Sequence, residues 1–127
     1  MPPINVLVVE DVEDVRAFIA EVLSHQGYYV LTARSLPEAE AVRQRLGLEA
    51  LALVITNLRL TRNPHAHEGV DLILHWHALD PQFPFILISS DLDSDQLAHL
   101  PVKVVRCLAK PFSTEALRTT VQAAIRA

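Results

Sequence analysis

Residues 4–11 have the sequence INVLVVED. The first six of them form an almost unbroken apolar run, which is typical of a strand that is covered on both faces, as in a parallel sheet. The run ends on two carboxylates, Glu10 and Asp11. In open α/β sheets the functional crevice lies outside the carboxyl ends of the strands, so we expect this acidic pair at the functional edge.

Strand and helix patterns alternate from this stretch to the end of the chain. After this stretch, apolar residues recur at helical spacing, for example at Val15, Ile19 and Val22. Further strands are predicted at 28–33, 51–55, 85–88 and 103–108, and further helices at 35–46, 69–80, 91–100 and 113–125. Five strands joined by crossover helices predict an α/β fold, a five-stranded doubly wound parallel sheet.

Length and composition limit the classes of function. The 127 residues are 50% hydrophobic and 20% charged, which fits one domain over residues 1–127 with no room for an output domain. A net charge of −4 does not favour binding to nucleic acid or to an anionic membrane. The sole cysteine, Cys107, excludes an internal disulfide, and no apolar run approaches a membrane span. We therefore expect a cytoplasmic protein.

Three other predicted strands also lead into polar residues. Asn57 follows the third strand, Ser89 the fourth, and Lys110 the fifth. Because the carboxyl ends of parallel strands lie at one edge of a sheet, these side chains should meet Glu10 and Asp11 there.

With these residues at the ends of successive strands, the sequence resembles the receiver domain of response regulators in two-component signalling. The resemblance extends from about residue 4 to 125. It is carried by VVEDVEDVR at 8–16, LVITNLRL at 53–60, GVDLIL at 69–74, FILISSD at 85–91 and LAKPF at 108–112. It implies the flavodoxin-like (βα)5 form of the fold, and a protein that works in a phosphorelay.

The resemblance implies a metal site. Glu10 and Asp11 correspond to the acidic pair that holds Mg²⁺, Asn57 stands at the phosphoacceptor aspartate, and the backbone carbonyl of Arg59 corresponds to the next ligand. Mg²⁺ prefers such oxygen ligands. Asn57 removes one anion, and Glu10, Asp11 and Lys110 sum to −1 where the usual site has −2. We therefore expect Mg²⁺ binding to be weak or lost, with Lys110 bridging toward Asp11 or Asn57.

The resemblance also implies a phosphorylation switch, which departs from the family in two places. Ser89 corresponds to the residue that contacts a phosphoryl oxygen, and Lys110 to the one that neutralises its charge, in a Lys-Pro bond that is usually cis. At Asn57, however, a neutral carboxamide cannot act as the nucleophile that forms an acyl phosphate. Cys107 replaces the aromatic switch residue, and we expect a small, buried thiol there.

The loop after the third strand is longer than in the family. Asn57 and Gly69 are twelve residues apart, where about eight is usual, and the loop adds Arg59, Arg62, His65 and His67 beside the predicted pocket. Long loops at the functional end often determine partner choice.

The residues leave several interpretations open. The favoured one is a degenerate receiver that acts by phosphorylation-independent protein binding, with a histidine kinase, another receiver or an output protein as partner. Its expected surface, which could also form a homodimer, comprises the fourth helix, the fifth strand and the fifth helix, with Leu97, Val104, Arg106 and Thr120.

Two alternatives remain. Asn57 could be an engineered substitution that silences an ordinary Mg²⁺-dependent switch. A flavodoxin-like-fold enzyme such as a phosphohydrolase is disfavoured, because the loop after the first strand carries carboxylates instead of a phosphate cradle, and Glu13 stands where a second Asp would be needed. We expect no enzyme activity, no cofactor besides weak Mg²⁺, and surface histidines in preference to a histidine metal site.

Overall fold

A computed structural model describes residues 3–61, 66–90 and 95–125. The strands are β1 (Asn5–Val9), β2 (Tyr29–Ala33), β3 (Leu53–Asn57), β4 (Phe85–Ser89) and β5 (Val105–Ala109). The α-helices are α1 (Glu13–His25), α2 (Leu36–Leu46), α3 (Glu68–Leu79) and α4 (Thr114–Ala124). Short 3₁₀ helices lie at Leu48–Ala50 and Asp95–His99.

The five strands form one parallel sheet in the order β2-β1-β3-β4-β5. One hydrophobic cluster packs the α2 and α3 side of the sheet and includes Leu7, Val54 and Trp76. A second packs the α1 and α4 side and includes Val8 and Leu117. Successive strand residues point to opposite faces, and the helices bury both, which explains the nearly continuous apolar strands. The predicted doubly wound parallel sheet is confirmed.

Gly69 lies in the first turn of α3, where the helix packs directly against the end of β3. A Cβ at residue 69 would lie 2.1 Å from the carbonyl oxygen of Asn57, and the Gly69 N–H donates to the Leu58 carbonyl over 2.9 Å. Only glycine fits this approach. The extra residues of the loop are therefore added without moving the start of α3 away from the sheet.

The connection between β4 and β5 differs from the prediction. Within the described part of the chain it contains one five-residue 3₁₀ helix, Asp95–His99, where an α-helix over 91–100 was predicted. Strand β5 also begins two residues later than predicted, because the N–H groups of Val104 and Val105 both donate to the Pro101 carbonyl in a turn.

Cys107 is exposed, so the prediction of a buried thiol was wrong. The residue lies on the outermost strand, beside the connection that contributes only a short 3₁₀ helix in the described residues. Within the described residues, that connection does not cover the side chain as a full helix would. Neighbouring groups still desolvate the sulfur in part and raise the pKa of the thiol, which makes it a poor nucleophile at neutral pH.

Candidate functional site

A cavity of about 180 Å³ opens at the carboxyl edge of the sheet. Asp11 after β1, Asn57 at the end of β3, Ser89 at the end of β4 and Lys110 after β5 all line it. The parallel register aligns these strand ends, with Asn57 beside Ile88 and Ser89 beside Ala109. Four of the residues expected from the sequence therefore meet at one place.

The Asn57 side chain is bonded to the backbone of its own loop. Its Nδ2 donates a hydrogen bond of 2.6 Å to the carbonyl oxygen of Arg59. A carbonyl can only accept, so this contact assigns the amide nitrogen to that side. The carbonyl that the family uses as a metal ligand is thus already accepting a hydrogen bond from residue 57.

Lys110 pairs with Glu10, and not with Asp11 or Asn57 as expected. Its Nζ lies 2.8 Å from Glu10 Oε1. The Glu10 side chain is 2% exposed, so it requires a neighbouring positive charge more than a solvated carboxylate does. This buried partner explains the direction in which Lys110 points.

The second oxygen of Glu10 is the unusual atom of the site. Oε2 is buried and makes no hydrogen bond within the described part of the chain. Burial raises the pKa of the Glu10 carboxyl, Lys110 opposes that rise, and the neighbouring Asp11 carboxyl adds to it. The Glu10 backbone carbonyl is also held, by a 2.9 Å hydrogen bond from Arg16 Nη1.

The remaining predicted residues vary in their placement. Ser89 is buried at the cavity wall, and the Lys110–Pro111 bond is cis, as the resemblance implied. Cys107 does not line the cavity. It lies in a separate groove beside α4.

The long loop contributes Arg59 and Thr61 to the cavity wall. Its base is closed by a 3.2 Å hydrogen bond from the Leu60 N–H to Glu68 Oε1. The predicted pocket neighbours Arg62 and His65 lie outside the described residues. His67 precedes α3, and its Nε2 lies 3.7 Å from an Asp71 carboxylate oxygen on the helix surface.

Sequence reasoning missed Arg16 and Thr61. Arg16 was visible only as part of the first family motif, and its role depends on the turn that brings α1 over the end of β1. No motif includes Thr61, and its place in the cavity wall depends on the path of the chain after β3.

Two features are absent from the described residues. They contain no group of three or more His, Cys, Asp or Glu side chains arranged to hold a metal ion. No α-helix among them combines the length and apolar character needed to cross a membrane.

Known proteins resemble this chain in sequence and in fold. The model of the response regulator receiver domain family matches residues 6–122. The transcriptional regulatory protein PmrA of Pectobacterium parmentieri is 31% identical over 123 residues, covering 96% of this chain and 52% of PmrA. The chain thus spans about half the length of that relative.

Solved structures give the same fold. The receiver domain of NtrX from Brucella abortus superposes with a TM-score of 0.78 at 24% identity, covering 94% of this chain and 96% of that one. A response regulator receiver domain protein from Clostridium thermocellum gives 0.80 at 25% identity, with 96% and 94% covered.

Proposed function

The chain belongs to the family of response regulator receiver domains, and we propose that it signals by binding a protein partner without accepting a phosphoryl group at residue 57. Receiver domains are signalling modules of two-component systems. The observation that carries the proposal is the 2.6 Å hydrogen bond from Asn57 Nδ2 to the Arg59 carbonyl. Residue 57 presents a resonance-stabilised amide that is already bonded, where phosphorylation needs an ionised carboxylate.

The residues of the site do not fit a dedicated Mg²⁺ centre. Of the oxygen groups that the family offers, the Arg59 carbonyl accepts from Asn57, and Glu10 Oε1 accepts from Lys110. Mg²⁺ is reluctant to lose its waters and is usually held by carboxylates. With Asn57 neutral and Lys110 paired with Glu10, the local charge of −1 attracts a divalent cation less than three carboxylates would.

Lys110 serves as an internal counter-charge in this proposal. A cation that is 2.8 Å from Glu10 already offsets part of the repulsion that a metal ion would otherwise relieve. The pocket can therefore keep one arrangement in the absence of metal and phosphate, which is the property that a constitutive binding module needs.

We also propose that the chain has no enzymatic turnover. Asp11 lines the cavity, but the described residues around it offer no glycine-rich loop that could cradle a phosphate. A phosphohydrolase with Asp11 as nucleophile would hydrolyse a generic phosphate ester and lose that activity in Asp11→Ala. Measurable turnover of this kind contradicts the proposal.

For the interaction surface, we propose the face formed by β5 and α4, in contact with a cytoplasmic kinase, another receiver or an output protein. Val104, Arg106 and Thr120 line a groove of about 670 Å³ on this face. Leu97, which was expected there as well, packs instead against the cluster on the α2 and α3 side. The groove supports a partner surface that is separate from the cavity at residue 57.

The test measures intact mass after incubation with Mg²⁺ and acetyl phosphate, for this chain and for Asn57→Asp. We expect no added phosphoryl group on this chain. Labelling of Asn57→Asp alone identifies an otherwise working receiver pocket, which also fits an engineered block. If neither protein is labelled, the pocket has changed beyond residue 57. Labelling of this chain contradicts the proposed function.

A further inference from the structure

Strand β5 is the outer strand of the sheet, and part of its backbone has no partner among the described residues. The Phe85 N–H donates to the Val104 carbonyl, and the Lys110 N–H donates to the Ser89 carbonyl. In a parallel pair, every second residue of a strand bonds to the neighbouring strand through both its N–H and its carbonyl group. The backbone groups of residues 104, 106, 108 and 110 therefore point toward β4. The backbone groups of Val105, Cys107 and Ala109 therefore face outward.

Few of these outward groups are satisfied within the described residues. The Val105 N–H donates to the Pro101 carbonyl, which ends the turn before the strand. The N–H groups of Cys107 and Ala109 have no backbone partner there, and β5 pairs with β4 alone. Exposed backbone N–H and carbonyl groups along a strand can pair with one more strand.

The side chains beside this edge form a groove with positive charge. The groove has a volume of about 670 Å³ and lies between β5 and the Thr119–Ala123 part of α4. Lys103 and Arg106 line it, and no Asp or Glu is among its lining residues. Within the described chain neither cation has a carboxylate within 4.0 Å, although the whole protein carries a charge of −4.

The positive charge of the groove determines which kind of partner can bind there. A second copy paired edge to edge would bring the Lys103 and Arg106 of both copies to one interface, and such like charges are unfavourable. An acidic segment instead places its carboxylates on unpartnered cations. Its side chains would alternate, so acidic residues two positions apart would face the groove together.

We propose that β5 binds an extended, acidic segment of a partner protein as a sixth strand. The main chain of the segment bonds to the Cys107 and Ala109 backbone, and its carboxylates contact Lys103 and Arg106. This inference rests on the proposed function in one respect, namely that protein binding is the output of the domain. It adds the conformation and the charge of the partner segment.

The test uses a fluorescein-labelled peptide of about nine residues that alternates valine and glutamate, with a valine and lysine peptide as control. Fluorescence anisotropy without phosphodonor should show saturable binding of the acidic peptide alone. Arg106→Glu should raise its Kd about tenfold or more, because charge reversal replaces an attraction by a repulsion. Equal binding of both peptides, or no binding of the acidic one, overturns the proposal.

The pairing mode is tested at residue 107 with two matched variants. Cys107→Ala keeps the outward N–H and should bind like the original chain. Cys107→Pro removes this backbone N–H at an edge position where proline is tolerated. It should raise the Kd for the acidic peptide about tenfold. Hydrogen exchange at Cys107 and Ala109 should slow when the peptide saturates the protein. Equal affinity of the two variants, or unchanged exchange, rules out strand addition.

Two outcomes separate this inference from other possibilities. Sedimentation that shows a dimer of this chain, lost in Cys107→Pro and kept in Cys107→Ala, assigns the edge to a second copy and overturns the acidic partner. The mass measurement on residue 57 is independent of the peptide. A chain that stays unlabelled and does not bind the peptide refutes strand addition alone, whereas labelling refutes the proposed function alone.

Discussion

The Lys110 ammonium lies 2.8 Å from a carboxylate oxygen of Glu10, a residue whose position in the chain is 100 residues away. The Glu10 side chain is 2% exposed and that of Lys110 is 24% exposed. The pair therefore connects the ends of β1 and β5, with the carboxylate buried and the ammonium partly exposed.

Lys110→Met should lower the free energy of unfolding by about 2–3 kcal/mol, because it leaves a buried carboxylate without its counter-charge. Urea titration followed by the fluorescence of Trp76, the single tryptophan, measures the loss. The double variant Glu10→Gln with Lys110→Met should lose less than Lys110→Met alone, since no buried charge remains. Equal losses in the two proteins contradict a charge-pairing role.

Asn57→Asp should make stability depend on Mg²⁺. It adds a third carboxylate near Glu10 and Asp11 and removes the hydrogen bond to the Arg59 carbonyl. We expect a loss of about 1–2 kcal/mol in EDTA and recovery of stability in millimolar Mg²⁺, measured as Tm. Asn57→Ala is the matched control, since it removes the hydrogen bond without adding charge and should not respond to Mg²⁺. A Tm of Asn57→Asp that is the same with and without Mg²⁺ refutes the charge argument.

Gly69→Ala should destabilise the protein by about 3 kcal/mol or more, because the new Cβ would overlap the Asn57 carbonyl oxygen. Gly27→Ala separates this clash from backbone strain. Gly27 has a φ of +94°, and no atom lies within 4 Å of the place that a Cβ would take, so its replacement should cost only about 1–2 kcal/mol. Chemical denaturation of both variants gives the comparison, and a smaller loss for Gly69→Ala would show that α3 can shift away from β3.

The contact between α2 and α3 should contribute to the free energy of unfolding, and this contribution should be lost at low pH. Trp76 Nε1 donates to Glu40 Oε1, and Arg43 lies 2.7 Å from Glu40 Oε2. Burial raises the pKa of Glu40, but these hydrogen bonds and the Arg43 charge outweigh that effect and hold the pKa below its usual range. The stabilisation is therefore fully present above the unfolded pKa and is lost as the pH falls through the folded pKa.

Glu40→Gln should accordingly lose about 1–2 kcal/mol near pH 7, and the difference from the original chain should vanish toward about pH 3. Tm measured across this range tests the sign. Glu38→Gln is the surface control, because Glu38 pairs with an exposed Arg34 and should change Tm less. His75 Nε2 also lies 3.8 Å from Glu40 Oε1, so the difference can first grow as that imidazole gains a proton. A difference that persists at about pH 3 would contradict the assignment.

The sheet was predictable because its signals are local. Apolar runs identified every strand. Ser35 is of a residue type that favours helix N-caps, and its hydroxyl accepts from the Glu38 N–H at the start of α2. Trp76 is fully buried and lies three and four residues after two other buried apolar residues, which is the spacing of one helix face. The weakest pattern, at 91–100, produced the error in helix type.

The site was predictable in its members and not in their pairing. Strand order alone brings Asp11, Asn57 and Lys110 to one cavity. The choice of Glu10 by Lys110 depends on which carboxylate is buried, and the exposure of Cys107 depends on how the described neighbours pack around the outermost strand, β5. Both are consequences of three-dimensional packing, which spacing along a chain does not encode.

The closed base of the loop after β3 makes that loop a place to accept foreign sequence. Gly69 bonds to Leu58 and Glu68 bonds to Leu60, so both ends are fastened by groups that the intervening residues do not supply. Doubling the length of a flexible loop costs only about 0.6 kcal/mol in closure entropy. An epitope or a fluorogenic peptide inserted after Thr61 would sit at the rim of the cavity while the sheet keeps its register, giving a reporter of whatever approaches residue 57.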